Sequence, residues 1–140
     1  MPKATVAALI TTAVSGAEQI LLTRRAIEPF QNYWCLPGGH LHPYERARDA
    51  IIREVQEETG LEFAPTFFTY ADEIIPDLNI HAVVLVFKGN GSGTLTTQPG
   101  EVMDIGWFTI EEAQKMVLAF THNDILNAYA STQHDDIDNS

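Results

Sequence analysis

The sequence predicts an α/β protein, a mixed β-sheet with helices packed on its faces. Three observations lead there. Apolar, β-branched runs open the chain, one long helix-forming segment follows, then further strand-like runs, then helix-forming segments. No internal repeat interrupts that order and no linker is long enough to divide the chain. The 140 residues suit one domain able to bury a core without disulfides or structural metal.

Residues 5–12 are apolar and β-branched, residues 15–18 supply a turn containing Gly16, and residues 19–24 resume the apolar run, which together read as a hairpin. Residues 26–33, with Pro29 and Asn32, form a loop into a short strand at 34–36, after which Pro37, Gly38 and Gly39 break regular structure. From 45 to 59 the composition shifts to Ala, Arg, Glu and Ile without Gly or Pro, and Gly60 follows as a stop signal: this is the principal helix. Residues 61–70 and 80–88 read as strands separated by a polar loop with Pro76 and Asp77; residues 89–93 read as a turn or mobile loop and 104–108 as a final strand. Thr109 caps a helix over 110–118, with Glu112 completing a capping box, and a last helix covers 123–130. The domain is therefore expected over 1–130, followed by an acidic, disordered tail at 131–140 that carries Asp135, Asp136 and Asp138.

The formal net charge of -11, with eight Lys and Arg, argues against a nucleic-acid polymer as partner, because backbone binding needs a positive surface. A small anionic ligand is still allowed, since local cationic groups or a bound divalent ion create the field it needs. No stretch approaches the roughly 20 apolar residues that span a bilayer. The start at Met1, Pro2 and Lys3 lacks the pattern of a leader, so a cytoplasmic protein is expected. Cys35 is the single cysteine; it sits in an apolar stretch, where a buried structural thiol is favoured over a nucleophile.

Within the long helix, Glu54, Glu57 and Glu58 are spaced i, i+3, i+4 and share one face over an arc of roughly 100°. Ile51, Ile52 and Val55 form an adjacent apolar stripe that faces the sheet while the carboxylates face a cleft. Like charges at i, i+4 destabilise an isolated helix by roughly 0.2 to 0.5 kcal/mol per pair unless a cation binds. Arg53, four residues before Glu57, supplies part of that cation, and the remaining carboxylates suit magnesium, which takes hard oxygen ligands together with water and phosphate. By itself the cluster also reads as a solvated helix face. The surroundings favour the site: Gly38 and Gly39 put side-chain-free backbone ahead of the helix, and Ala47 and Ala50 leave room above Glu54.

Gly39, five residues, Glu45, seven residues, then Arg53, Glu54, Val55, Gln56, Glu57, Glu58, Thr59, Gly60 and Leu61 resembles the Nudix signature throughout, with Pro37 and Gly38 preceding it as in that family. The resemblance implies an α/β/α sandwich around a mixed sheet and attack of water on a pyrophosphate phosphorus assisted by Mg2+, with Mn2+ as the alternative ion. It makes Glu54, Glu57 and Glu58 metal ligands, joined by the Gly38 carbonyl, and has Arg53 orient a glutamate. Glu45 holds the helix start or a metal-bound water, and Gly39 belongs to the substrate-binding loop. One departure is Tyr44, after Pro43, where many members carry glycine; it touches loop shape and substrate fit more than the metal site. Glu54 is the first choice as general base. Glu101, ahead of the last strand, is a weaker candidate that reads more readily as a surface charge.

Arg24 and Arg25, ending the second strand, resemble paired arginines of MutT-like members, and arginine suits bidentate phosphate contact; Arg24 is the preferred one. Pro76, fifteen residues past the box, and the stretch 118–126 around His122 resemble ADP-ribose-directed members, although the proline needs no more than a turn and His122 no more than a packed helix end. Phe30, Tyr33 and Phe68 are candidate stacking residues as well as candidate core. The expected function is thus hydrolysis of a nucleoside diphosphate linked to another group, ADP-ribose-like, or of a nucleoside triphosphate. The alternative is a catalytically silent Nudix-like sensor or interaction module. Nucleoside, leaving group, attacked phosphorus and oligomeric state, with a homodimer among the options, stay open at this level.

Overall fold

The computed structural model describes residues 1–14, 16–96 and 100–138; Ser15 of the expected first turn and residues 139–140 of the expected tail lie outside them. The opening hairpin is β1 (Lys3–Val14) with β2 (Ala17–Arg25), paired antiparallel at Thr11↔Ile20 and Val14↔Ala17. Strand β3 (Trp34–Cys35) adds to β2, and β4 (Gly38–His40) to β1. Helix α1 (Ala47–Thr59) follows, then β5 (Glu62–Phe63), β6 (Thr66–Ile75), β7 (Ile80–Ser92), β8 (Val102–Thr109), α2 (Ile110–Gln114) and α3 (His122–Asp138).

One mixed sheet results. β1 lies parallel to β7 from Lys3↔Ala82 to Thr11↔Asn90, and every other pairing is antiparallel, including β8 on β2 and β6 on β7. A parallel pair needs a crossover, and α1 lies within the one that links β1 to β7. The period-2 alternation of a strand then builds two cores from one sheet. Val6, Ala8 and Ile10 face Ala50, Ile51 and Val55 of α1 on one side. Ala7 and Leu9 face Ala113 of α2, Leu118, and Ile125 and Leu126 of α3 on the other. The layering is therefore helix, sheet, helix, as the motif implied.

The departures from the sequence reading have local causes. Strand β6 runs through Asp72 and Glu73, where a polar loop was expected, because it pairs with β7 as far as Ile75↔Ile80 and the chain reverses in a single 3-10 turn, Pro76–Leu78. Asn79 closes that turn in the left-handed region, φ 54°, which asparagine tolerates. Pro76 thus has a sufficient role in the turn. Gly89 and Gly91 extend β7 instead of breaking it: a Cβ on Gly89 would lie 2.2 Å from the Ala64 carbonyl oxygen, so the glycine marks close backbone approach. Gly38 and Gly39, expected to be irregular, pair with Ala7 and Val6 in β4. Helix α2 is shorter than expected, but its capping box forms: Glu112 N–H donates to Thr109 Oγ1 (3.1 Å) and Thr109 N–H to Glu112 Oε1 (2.9 Å). Helix α3 continues past Ala130 to Asp138, with neither Gly nor Pro to stop it, across most of the stretch expected as a tail. Among the described residues no helix is long and apolar enough to cross a membrane.

Candidate active site

The site is assembled by three pieces of backbone: β4, the second half of α1, and the turn at Gly100 and Glu101 before β8. Helix α1 begins at Ala47, so Glu45 stays outside it, in a bend whose His42 N–H donates to Glu45 Oε1 (3.0 Å). Tyr44, one residue earlier, has φ 64°. This is the left-handed conformation that explains why glycine is usual there, and the loop keeps it with a tyrosine whose side chain is fully exposed.

Arg53 is the hub. Its Nε and Nη2 donate to Glu45 Oε2 (2.8 Å) and Oε1 (2.9 Å), a two-point fork. Nη1 donates to Glu54 Oε1 (2.8 Å) and Glu57 Oε2 (3.2 Å), and Nη2 also to the His40 carbonyl (3.1 Å). One guanidinium therefore fixes the pre-helix bend, two helix carboxylates and the end of β4. The Arg53 hydrogen bonds hold the Glu45 carboxyl down at about 2. Arg53, expected to orient one glutamate, hydrogen-bonds to three: Glu45, Glu54 and Glu57.

The other two acids are less well compensated. Glu54 is buried, and burial raises its carboxyl above the ordinary range against the opposing pull of Arg53. Glu58 is raised further, by burial and then by the charge of Glu54, with the Gly38 N–H donating to its Oε2 (3.2 Å) as a partial offset. Gly39 has no side chain for a clear reason: a Cβ there would lie 2.6 Å from the Glu54 carboxylate. Glu57 is the exposed member of the cluster.

Arg53, Glu54, Glu57, Glu58 and Glu101 line one cavity of about 600 Å3, so that Glu101, itself exposed, borders the same space as the helix acids. Four carboxylates against one guanidinium, two of them with raised carboxyls, form an all-oxygen donor set that fits a hard divalent cation. Among the described residues no three His, Cys, Asp or Glu side chains converge on one ion position. A cation with few protein ligands, completed by water and phosphate oxygens, is the kind such a site accommodates.

A second, larger cavity of about 940 Å3 adjoins the first and shares Glu58, Glu101 and Val102 with it. Gly38, Gly39, Arg25, Glu73, Phe120 and His122 are among its lining residues. Arg24, the preferred phosphate contact from sequence, is not; its Nε donates to the Asn32 carbonyl (2.8 Å) on an exposed surface. Strand alternation puts the neighbour, Arg25, on the cavity side, with its Nε on the Pro29 carbonyl (2.7 Å) and its guanidinium 4.9 Å from the Phe120 ring centroid. His122 is buried and packed. Its Nδ1 accepts the Leu36 N–H (3.0 Å), and burial pushes its pKa down to about 3, so it ties α3 to the strand region as a neutral ring. Cys35 is buried against Thr23 Oγ1 (3.6 Å), and burial pushes its thiol up to about 11, which excludes a resting thiolate nucleophile. Sequence reasoning missed Glu73, hidden by the reading of 71–79 as loop; its place two residues after Ala71 on β6 was the available signal.

A family model described as the NUDIX domain matches residues 1–129. The ADP-ribose pyrophosphatase of Methanocaldococcus jannaschii is 30% identical over 115 residues, which cover 79% of this chain and 65% of that protein. A crystal structure of a MutT NUDIX hydrolase from Burkholderia pseudomallei superposes with a TM-score of 0.80 at 27% identity, over 91% of this chain and 97% of the other. The NUDIX domain of Shewanella oneidensis NrtR, cocrystallised with ADP ribose, superposes at 0.85 with 21% identity over 95% and 89% of the two chains, a likeness of fold. The chain spans 18%, 65% and 52% of the length of the first three curated relatives it matches. A family model that takes in nearly the whole chain, a box with each acidic position filled, and a sheet that superposes on these structures agree: the chain belongs to the NUDIX domain family.

Proposed function

We propose that this protein hydrolyses a pyrophosphate bond in a nucleoside diphosphate linked to a second group, ADP-ribose-like, or in a nucleoside triphosphate, in a reaction that depends on Mg2+, with Mn2+ able to replace it. The observation that carries the reading is that the two cavities share Glu58, Glu101 and Val102 as lining residues, so a diphosphate at that seam would have the larger space available for its organic group.

Glu54, Glu57 and Glu58, with the Gly38 carbonyl, are the groups from which a divalent cation would draw its few protein ligands; when bound it would neutralise the diphosphate and polarise the bond to be cleaved. Arg53 fixes Glu54 by one oxygen, Oε1, and leaves Oε2 to take a proton from the attacking water. The raised carboxyl of Glu54 suits it to that transfer, because a base works best with a pKa drawn toward the working pH. The water oxygen bonds to phosphorus, the bridging P–O bond breaks, and the electron pair leaves with the departing phosphate. Gly39 lets the phosphate backbone approach Glu54 without a side chain between them. Arg25 supplies the cationic contact in the larger cavity, in place of Arg24. A silent sensor is favoured by loss of a box glutamate, and all three are in place.

The test is a Mg2+-dependent turnover screen across nucleoside triphosphates, nucleotide sugars, ADP-ribose and dinucleoside polyphosphates, with products separated by ion-exchange chromatography. Turnover of at least one class that stops with chelator is the expected result. No turnover of any class, in Mg2+ or Mn2+, sinks the reading.

A further inference from the structure

Glu73 is a carboxylate inside the larger cavity that the proposed hydrolysis does not use. It is 5% exposed, on β6, and burial raises its carboxyl. Its two hydrogen bonds both fall on one oxygen: Thr121 Oγ1 (3.1 Å) and Thr121 N–H (3.4 Å) donate to Oε2. Among the described residues Oε1 has no hydrogen-bond partner, and it is not sealed from open space. Phe120, which precedes Thr121 with φ 57°, lines the same cavity, as does Arg25, stacked on its ring. A residue needed merely to tie the Thr121 segment to β6 could be neutral. A carboxylate kept in a desolvated position, with one oxygen saturated and the other open to a cavity, is arranged for a donor that arrives from outside.

The geometry points to Glu73 Oε1 as the acceptor for an exocyclic amino group on the base of the bound nucleotide, so that the larger cavity selects adenine- or cytosine-type bases. This rests on the larger cavity being the nucleoside half of the site proposed above. Three features of the donor follow from the geometry. It carries N–H or O–H, since an ionised carboxylate accepts and does not donate. It makes a single contact, since Oε2 is already taken twice; a ribose diol, or the paired N–H groups on the edge of guanine, would call on both oxygens. It also protrudes from its ring. The imide N–H of uracil or hypoxanthine is flanked by carbonyl oxygen, which would face the same anion, whereas an amino group reaches it alone.

The proposal is tested by calorimetric titration of the full chain at pH 8 with AMP, purine riboside 5′-monophosphate, IMP, CMP and UMP, without a divalent ion. Reading binding instead of turnover separates this inference from the hydrolase reading: a protein that turns nothing over can still show base selection, and an active one can lack it. AMP is expected to bind at least about tenfold more tightly than purine riboside monophosphate or IMP, and CMP than UMP, the size of one hydrogen bond to a charged group. In Glu73→Gln the preference for AMP over IMP should vanish or reverse, since the amide also donates to O6. Equal affinity for AMP and purine riboside monophosphate overturns the proposal and leaves a ribose or structural role for Glu73. So does an undiminished amino preference in folded Glu73→Gln, and so does the absence of binding for every probe at millimolar concentration. The comparison of AMP with its deaminated and desamino forms uses the unaltered protein, so a variant that fails to fold does not spare the proposal.

Discussion

Arg53 grips Glu45 by two parallel hydrogen bonds, Nε to Oε2 at 2.8 Å and Nη2 to Oε1 at 2.9 Å, while its third nitrogen reaches Glu54. A planar fork makes this possible and an ammonium does not. Arg53→Lys is therefore expected to lower kcat on the best substrate by about 100-fold, the scale of a displacement near 1 Å at a reacting centre. The Glu45 carboxyl, now held at about 2, should titrate higher in the variant, as read by carboxyl NMR. Unchanged kcat together with unchanged titration would show that the fork has no positioning role.

Glu58 gives a prediction about pH and metal. Its carboxyl is raised in the folded protein, so the folded state binds that proton more tightly than the unfolded chain does. The stability it contributes is present below the ordinary carboxylate range and lost as pH rises through the raised value. In chelator at pH 8, Glu58→Gln should melt at a higher temperature than the natural protein, and the gap should close toward pH 4. Mg2+ should raise the Tm of the natural protein and not of the variant, whose turnover should fall by about 100-fold or more. A Mg2+ shift of equal size in both would remove Glu58 from the cation site.

The two glycines of β4 should fail differently. A Cβ on Gly38 meets the Val6 carbonyl oxygen at 2.1 Å, backbone that cannot move without breaking the β1 pairing. A Cβ on Gly39 meets the tip of the Glu54 side chain, which can swing away. Gly38→Ala is expected to cost about 1 to 3 kcal/mol in urea unfolding. Gly39→Ala should cost less than about 1 kcal/mol, the range of changes that spare the core, while lowering kcat by about 100-fold through Glu54. The reverse ranking would contradict the assigned contacts.

Tyr44 is expected to be a position of stored strain. Its left-handed backbone costs roughly 1 to 2 kcal/mol for a residue with a Cβ, set against about 0.5 to 1 kcal/mol of extra chain entropy for glycine. Tyr44→Gly should leave stability unchanged or raise it by up to about 1.5 kcal/mol by the same figures. With the side chain fully exposed, kcat should hold. Clear destabilisation would mean that the ring makes a contact that matters.

Cys35→Ser should retain turnover within about twofold, since the thiol is buried, protonated and outside the acidic cavity. Slow alkylation of the folded protein at pH 8 is the companion measurement. Complete inactivation of a folded variant would overturn a mechanism resting on carboxylates alone.

The chemistry was more legible than the pocket. Glu54, Glu57, Glu58 and Arg53 lie within six consecutive residues of one helix, so their shared face follows from helical geometry without knowledge of the fold. Glu45 and Gly39 came through the spacing of the box. Arg25 and Glu73 depend on which face of a strand turns inward and on where that strand ends, and a strand's register is set by partners far away in the chain. Arg24 and Arg25 look alike in sequence; pairing of β2 with β8, shifted between those two residues, decides which one enters the cavity. The exposed Phe67, Tyr70 and Ile74 on β6 show the same limit, because apolar residues there face outward while Glu73 turns in.

The seam at Glu58, Glu101 and Val102 lies between the acidic cavity, where the reaction is proposed, and the larger one, proposed to hold the organic group. Residues that line the larger cavity alone, Arg25, Glu73 and Phe120 among them, can be exchanged while the carboxylates and Arg53 stay as they are. If the proposed hydrolysis holds, a lineage built on this arrangement would drift from one nucleotide to another by small steps, each intermediate keeping its acidic cluster.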